Sequence, residues 1–329
     1  MKKYILAFGI IILGLAGVIS YYNQFDMIIE DEVIHSDGTR IAVEYAMPKK
    51  SSEKPGLLLF IHGDGPANKN LDEGYYPAWE VLSKENMISV SWDKAGIGGS
   101  TGNWLTQDME DRKNEAELVL EWARQTFDID PDRVGVWGAS QGGWVISKLL
   151  TDNDSIKFGI GVAPAVNWLR QGEFNTISEM TYEGYSSKEI EDKRLVEADI
   201  TEYLQQNDYQ GYLNSGLDKK VISEDRWAFI HKNMTLDNTE ELRAINKPYY
   251  LLLGDHDINV DVQETEEIYR ECMDKEHLTV KHINKATHRM LKPRHQKDTL
   301  MTVLEALFNP RWLFSPDYLD SLKDIAEEI

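Results

Sequence analysis

Val134-Gly135-Val136-Trp137-Gly138-Ala139-Ser140-Gln141-Gly142-Gly143-Trp144-Val145-Ile146 changes character half-way along. Up to Trp137 the residues are apolar, as a buried strand requires, and from Gly143 to Leu150 they read as a helix. Between them, Gly138-Ala139-Ser140-Gln141-Gly142 has the Gly-x-Ser-x-Gly pattern of a sharp strand-to-helix turn that lifts a serine into the open. Gly138 and Gly142 are needed because such a turn leaves no room for a Cβ beside the serine. The helix that follows aims backbone N–H groups and the positive end of its dipole at any anion forming nearby. The pentapeptide alone is common by chance, but in this setting it marks Ser140 as a candidate nucleophile.

Working outward, the same alternation recurs. Leu57 to Ile61 is a continuous apolar run, as expected of a strand buried on both faces, and Met87–Trp92, Phe158–Val162, Tyr249–Leu253 and Leu278–Ile283 repeat it. Helical stretches lie between them, such as Asp108 to Phe127, whose apolar face is read as Leu118, Leu120, Trp122 and Ala123. Strand alternating with helix implies βαβ units and an α/β fold with a doubly wound, mostly parallel sheet. Ile28–His35 and Arg40–Ala46 around Asp37-Gly38 read as a hairpin ahead of it. The rhythm breaks between Trp168 and Asn246, a stretch rich in Glu, Lys and Tyr, where Ser186 to Glu189 reads as a capping box. The expected organisation is therefore an N-terminal segment (1–22), core (23–168), helical cap insertion (169–246) and core again (247–329).

A serine hydroxyl needs a base, and the base an orienting carboxylate. In an α/β sheet of this kind these follow later strands. Tyr249 to Gly254 runs into Asp255-His256-Asp257, and Leu278 to Ile283 into Asn284-Lys285-Ala286-Thr287-His288. Asp257 is assigned the acid because it reaches further past the strand end; Asp255 is the alternative. His288 is assigned the base. His256, His282 and His295 match no familiar metal-ligand spacing, so no metal and no cofactor is expected. A developing oxyanion needs two backbone donors, here the amides of Gln141 and Asp64, the latter in His62-Gly63-Asp64-Gly65 after the Leu57–Ile61 strand. The Asp64 carboxylate is awkward there: at about 6 Å and an effective dielectric near 20 it would repel an oxyanion by about 3 kcal/mol. It is expected to point away or be paired, with Lys94 as one partner.

Phe60 to Gly65, Trp92 to Ser100, Ile129 to Val134 and Gly138 to Gly143 together resemble the α/β-hydrolase superfamily, in the manner of bacterial esterases near its dienelactone-hydrolase and prolyl-oligopeptidase-like branches. The similarity spans roughly Met27 to Pro310. It implies Ser140, Asp257 and His288 as a catalytic triad and the Asp64 and Gln141 amides as an oxyanion hole. Asp64 stands where small or apolar residues are frequent in that family, and Lys94 where Arg is.

Composition narrows the function. In 329 residues, 56 acidic against 35 basic side chains give a net charge of −21, which argues against a nucleic-acid surface. Cys272 is the single cysteine, so no internal disulfide forms, and its acidic helical setting makes it structural rather than catalytic. Lys2 and Lys3 precede an uncharged run from Tyr4 to Tyr22, which as a helix spans about 28 Å. That suits a signal peptide or a membrane anchor, and either places the globular part outside the cytoplasm. The leading expectation is hydrolysis of a small-molecule carboxylic ester through an acyl-enzyme. A peptidase or amidase, an acyl thioesterase, and a catalytically silent surface-binding module are the alternatives. Tyr75, Tyr76, Trp79, Trp104 and Trp168 are candidates for lining an acyl pocket.

Overall fold

The computed structural model describes residues 14–36, 38–51 and 53–329. Most of the apolar run of the N-terminal segment lies outside them, as does Asp37 in the hairpin turn. Among the described residues no helix is long and apolar enough to cross a membrane.

Eight strands form one sheet in the order β1-β2-β4-β3-β5-β6-β7-β8. β1 (Ile28–Ser36) and β2 (Thr39–Met47) are the expected hairpin, and β2 joins β4 (Met87–Trp92) antiparallel. β3 (Gly56–Ile61), β5 (Val134–Ala139), β6 (Phe158–Val162), β7 (Tyr249–Gly254) and β8 (Leu278–Ile283) continue it parallel to β4. The strand period of two sorts each run onto two faces. Leu57, Leu59 and Ile61 enter the apolar layer beneath α2 (Met109–Thr126) and α3 (Gly142–Asp152), whereas Leu58 and Phe60 enter the layer containing Trp79 and Tyr318. With every residue of β3 buried, each such side chain contributes about 1.5–3 kcal/mol of apolar burial.

Two readings of the apolar surface need correction. In α2, Leu118 is exposed; the buried face instead includes Met109, Ala116, Val119, Leu120 and Ala123, together with Arg112 and Lys113. Trp79, in α1 (Tyr76–Lys84), is fully buried in the core layer and is unavailable to line a pocket.

Five helices separate β6 from β7: α4 (Trp168–Glu183), α5 (Ser187–Gln205), α6 (Tyr209–Ser215), α7 (Glu224–Asn233) and α8 (Thr239–Ala244). The Ser186–Glu189 capping box opens α5 as read from the sequence. Ile200, Leu204, Tyr212, Trp227 and Met234 give this insertion a small core of its own. It meets the C-terminal edge of the sheet through side chains: Gln171 and Asn175 donate to the carbonyls of Asn259 and Ile258, and Lys232 donates to Asp111 and to the Thr106 carbonyl. α9 (Val262–Cys272) lies between β7 and β8, and α10 (Thr299–Phe308) and α11 (Pro316–Glu328) follow β8, α11 packing into the layer that holds Trp79. Cys272 ends α9 half-buried, and burial pushes its thiol pKa up, which keeps it protonated and unreactive.

Candidate active site

The turn after β5 is as tight as its sequence demands. Ser140 has φ 49°, a left-handed conformation costing about 1–3 kcal/mol in a non-glycine residue. A Cβ on Gly138 would lie 2.7 Å from the Gly142 carbonyl oxygen, and one on Gly142 would lie 2.5 Å from that of Ile61. The Ser140 amide donates to the Val162 carbonyl at the end of β6, and its own carbonyl accepts from Gly143, starting α3. The serine is thus fixed by backbone alone, at the C-terminal edge of the parallel strands and at the N-terminus of α3.

Asp257 and His288 are brought together from the loops after β7 and β8. His288 Nδ1 lies 2.8 Å from Asp257 Oδ2, and the carboxylate is fully buried. The other oxygen, Oδ1, accepts the amides of Asn259 (2.7 Å) and Val260 (3.0 Å), so the carboxylate cannot rotate away without losing both. With a carboxylate accepting at Nδ1, that nitrogen carries the proton and Nε2 is left as the basic position. Asp255 does other work: its Oδ1 accepts from the Ala286 amide (3.2 Å) and sits 2.6 Å from His256 Nδ1. It ties the β7 loop to the β8 loop. Gly254 lets them meet, since a Cβ there would lie 2.5 Å from the Ala286 carbonyl oxygen.

The loop after β3 is held quite differently. The Asp64 carboxylate is paired, but with Arg226 of α7 rather than with Lys94: Nη1 and Nη2 donate to Oδ1 (2.9 Å) and Oδ2 (2.5 Å) in a two-pronged bridge. Lys94 instead donates to the carbonyls of Gly63 (2.5 Å) and Gly65 (2.8 Å). The reason is geometric: buried Lys94 reaches the loop's main chain, while the inserted helix brings a planar guanidinium that matches the carboxylate. That guanidinium lies over two neighbouring rings, 5.8 Å from the Trp104 centroid and 4.9 Å from that of Phe229, the rings themselves being 5.3 Å apart. Arg112, buried in α2, donates to the His62 carbonyl (2.5 Å) and to Gln141 Oε1 (2.8 Å), and Gln141 Nε2 reaches Asp64 Oδ1 at 3.2 Å. Among the described residues, no acceptor takes the amide hydrogens of Asp64 or Gln141.

Charge accumulates here. Burial would raise the Asp64 pKa, but the Arg226 bridge outweighs it and holds the carboxyl below its ordinary range. Burial, followed by the repulsion of Arg112, brings Lys94 well below the usual lysine value. Burial also lowers Arg112 to about 10, against the pull of Glu115 and Asp64. His62 lies beneath, its Nε2 2.7 Å from the Trp92 carbonyl and its Nδ1 2.7 Å from the Tyr75 hydroxyl. A carbonyl can only accept, so Nε2 carries the proton and Tyr75 donates to Nδ1. Burial, then the Lys94 charge, drive its pKa down to about 3, so the ring is neutral. Arg112 and Arg226 are contributors that the sequence did not flag. Nothing local distinguishes an arginine on an amphipathic helix from one on a solvated face.

Set against known proteins, this arrangement has relatives. The prolyl oligopeptidase family matches residues 80–309, more than half of the chain. The chain belongs to that family. Dipeptidyl peptidase 4 of Bos taurus is 27% identical over 170 residues, covering 46% of this chain and 22% of the relative. The same enzyme of Felis catus is 32% identical over 126 residues, covering 36% and 16%. The chain therefore spans about a fifth of the length of such relatives. Among solved structures, Est1E of Butyrivibrio proteoclasticus, with ferulic acid bound, superposes with a TM-score of 0.57 at 16% identity, over 90% of this chain and 98% of that one. The acylaminoacyl peptidase of Pyrococcus horikoshii gives 0.56 at 16%, over 94% and 42%. The fold is that of the α/β-hydrolases.

Proposed function

We propose that this family member cleaves carboxylic esters through an acyl-enzyme, with Ser140 as nucleophile, His288 as base and Asp257 orienting it. The observation that carries the reading is the 2.8 Å His288–Asp257 pair on the sheet edge where Ser140 is strained outward. His288 Nε2 takes the serine proton as Oγ attacks the acyl carbon, and the resulting imidazolium is stabilised by buried Asp257. The amides of Asp64 and Gln141 receive the oxyanion. His288 then protonates the departing alcohol, and water enters along the same path to release the acid.

A dipeptidyl peptidase reading is favoured by the names of the relatives. Such an enzyme must bind a free amino terminus, which calls for an unpaired carboxylate near the scissile bond. Asp64 is the acidic side chain on the oxyanion loop, and Arg226 engages both its oxygens. Asp64 is thereby already occupied and not free to bind the amino terminus, which counts against the dipeptidyl peptidase reading at this position. Helices α4 to α8 act as the cap over the site, and the N-terminal segment places the enzyme outside the cytoplasm, held to the membrane or released after cleavage. The full chain, assayed on p-nitrophenyl esters of graded acyl length and on aminoacyl-prolyl p-nitroanilides beside Ser140→Ala, tests this. Ester turnover lost in the variant supports the reading. Turnover confined to the anilides would replace it with the peptidase, and turnover surviving Ser140→Ala would remove the nucleophile assignment.

A further inference from the structure

Helix α10 (Thr299–Phe308) is built inside out. Leu300, Val303, Leu304 and Leu307 recur at i, i+3, i+4 and i+7, the spacing of a stripe that ordinarily faces a core. Here all four are exposed, Leu300 by 70% and Leu307 by 51%, and no residue of the helix is buried. The polar side is the one turned inward: Thr302 Oγ1 and Glu305 Oε2 lie 2.9 and 3.1 Å from the two ring nitrogens of His295, whose side chain is fully buried. An apolar stripe of this kind costs free energy in water and signals a partner.

Three neighbouring features say which partner. First, the helix adjoins the point where the apolar N-terminal segment enters the fold. Residues 14–22 are helical, Asn23 Nδ2 donates to the Leu307 carbonyl (2.8 Å), and Arg311 donates to the Tyr22 carbonyl (2.6 Å). Second, aromatic side chains gather at that junction. Tyr22 and Trp312 have ring centroids 5.9 Å apart, both exposed, with Tyr21 70% exposed beside them. Tyrosine and tryptophan favour the headgroup level of a bilayer. Third, in a chain of net charge −21, the stretch from Arg289 to Trp312 carries five basic residues against Asp298 and Glu305; Arg294 pairs with Glu305 and Arg311 with Glu80, which leaves Arg289, Lys292 and Lys297 to border the stripe. An outward apolar stripe bordered by aromatic and basic residues is the composition of a helix lying in a membrane interface.

We infer that α10, with Trp312 and Tyr22, is a membrane-facing surface that lies in the interface of a bilayer carrying anionic headgroups. It rests on the N-terminal segment reaching the same bilayer.

The full chain carrying Cys272→Ala and Leu304→Cys, labelled at position 304 with an environment-sensitive fluorophore, is reconstituted into phosphatidylcholine vesicles with phosphatidylglycerol admixed. A second chain labelled through Lys219→Cys, in the insertion, serves as reference, and far-ultraviolet circular dichroism checks both folds. The expected result is a blue-shifted emission at position 304, lost on substituting brominated lipid, with the reference unmoved; in phosphatidylcholine alone the quenching weakens. Vesicle-bound protein whose position-304 probe stays in water overturns the surface while leaving the anchor intact. A blue shift that brominated lipid does not quench means that protein covers the stripe, a second copy or this chain's own N-terminal segment, and overturns it as well. Quenching independent of phosphatidylglycerol overturns the anionic preference. Failure of the chain to float with vesicles removes the anchoring reading together with the surface.

Discussion

The two loops that flank Ser140 are stabilised by opposite means. The Asp257–His288 side is local: Asp257 is pinned by the amides of residues two and three positions on, and Asp255 ties its loop to the next by one side chain. The His62–Gly65 side is assembled from a distance, by Lys94 from the end of β4, Arg112 from α2 and Arg226 from the insertion. The Asp257 carboxylate is oriented by neighbours in sequence, and the His62–Gly65 loop by side chains from three distant elements. Loss of the Arg226 bridge should therefore reach the Asp64 loop first, whereas the insertion touches the Asp257 loop through Gln171 and Asn175, which donate to the Asn259 and Ile258 carbonyls.

The largest effect should come from Asp257→Asn. Its amide carbonyl can still accept from Asn259 or Val260, but the charge opposite the His288 imidazolium is gone. We expect kcat for ester hydrolysis to fall by about 10⁴-fold with the fold intact by circular dichroism. A loss below tenfold would show that this pair is not part of the reaction.

Next is Arg226→Met, which leaves the Asp64 carboxylate unpaired beside the forming oxyanion. Repulsion of about 3 kcal/mol at an effective dielectric near 20 corresponds to a kcat loss of up to about 10²-fold. Adding Asp64→Asn should recover most of it, because the offending charge is then absent. Non-recovery in that double-mutant cycle would mean that Arg226 acts by shaping the loop rather than by neutralising Asp64.

A stability measurement separates the distant support from the local one by pH. His62 has a folded pKa of about 3 against an ordinary 6.5, so the unfolded chain takes up the proton first. Stability is fully present above about 6.5 and drains away as the pH falls towards 3. Urea midpoints across that window should decline in the native protein, and His62→Gln, which cannot titrate, should flatten the slope. An unchanged slope would mean that His62 is already solvated. The smallest effect belongs to Asp255→Asn, which keeps an acceptor for the Ala286 amide: kcat should stay within about twofold. A loss approaching that of Asp257→Asn would reverse the assignment of the two aspartates.

The same contrast explains what was readable in the sequence. β4, β6 and β8 have the bounds expected of their apolar runs, β3 begins one residue before its run, and the elbow is encoded in five consecutive residues. Asp257 could be preferred to Asp255 by reach past Gly254, a local argument. Arg226 could not be foreseen, since Glu224 to Asn233 reads as an ordinary charged helix until folding brings it against Trp104 and Asp64. Lys94 was a reasonable partner by charge, but its side chain spends its donors on two carbonyls. Leu118 in α2 and Leu300 in α10 make a related point. Helical spacing identifies an apolar stripe, yet only the neighbouring elements decide whether water or protein lies against it.

β6 and β7 are adjacent in the sheet although five helices intervene between them in the chain. Chains are synthesised from the N-terminus and begin to fold as they emerge. Gly56 to Val162, which contains the oxyanion loop and Ser140, is thus complete before Arg226 exists to neutralise Asp64, and well before His288 exists to take a proton. On the proposed mechanism the order of synthesis acts as a safety catch: a growing chain carries Ser140 but not His288, and hydrolytic competence arrives only once the loop after β8 has been made.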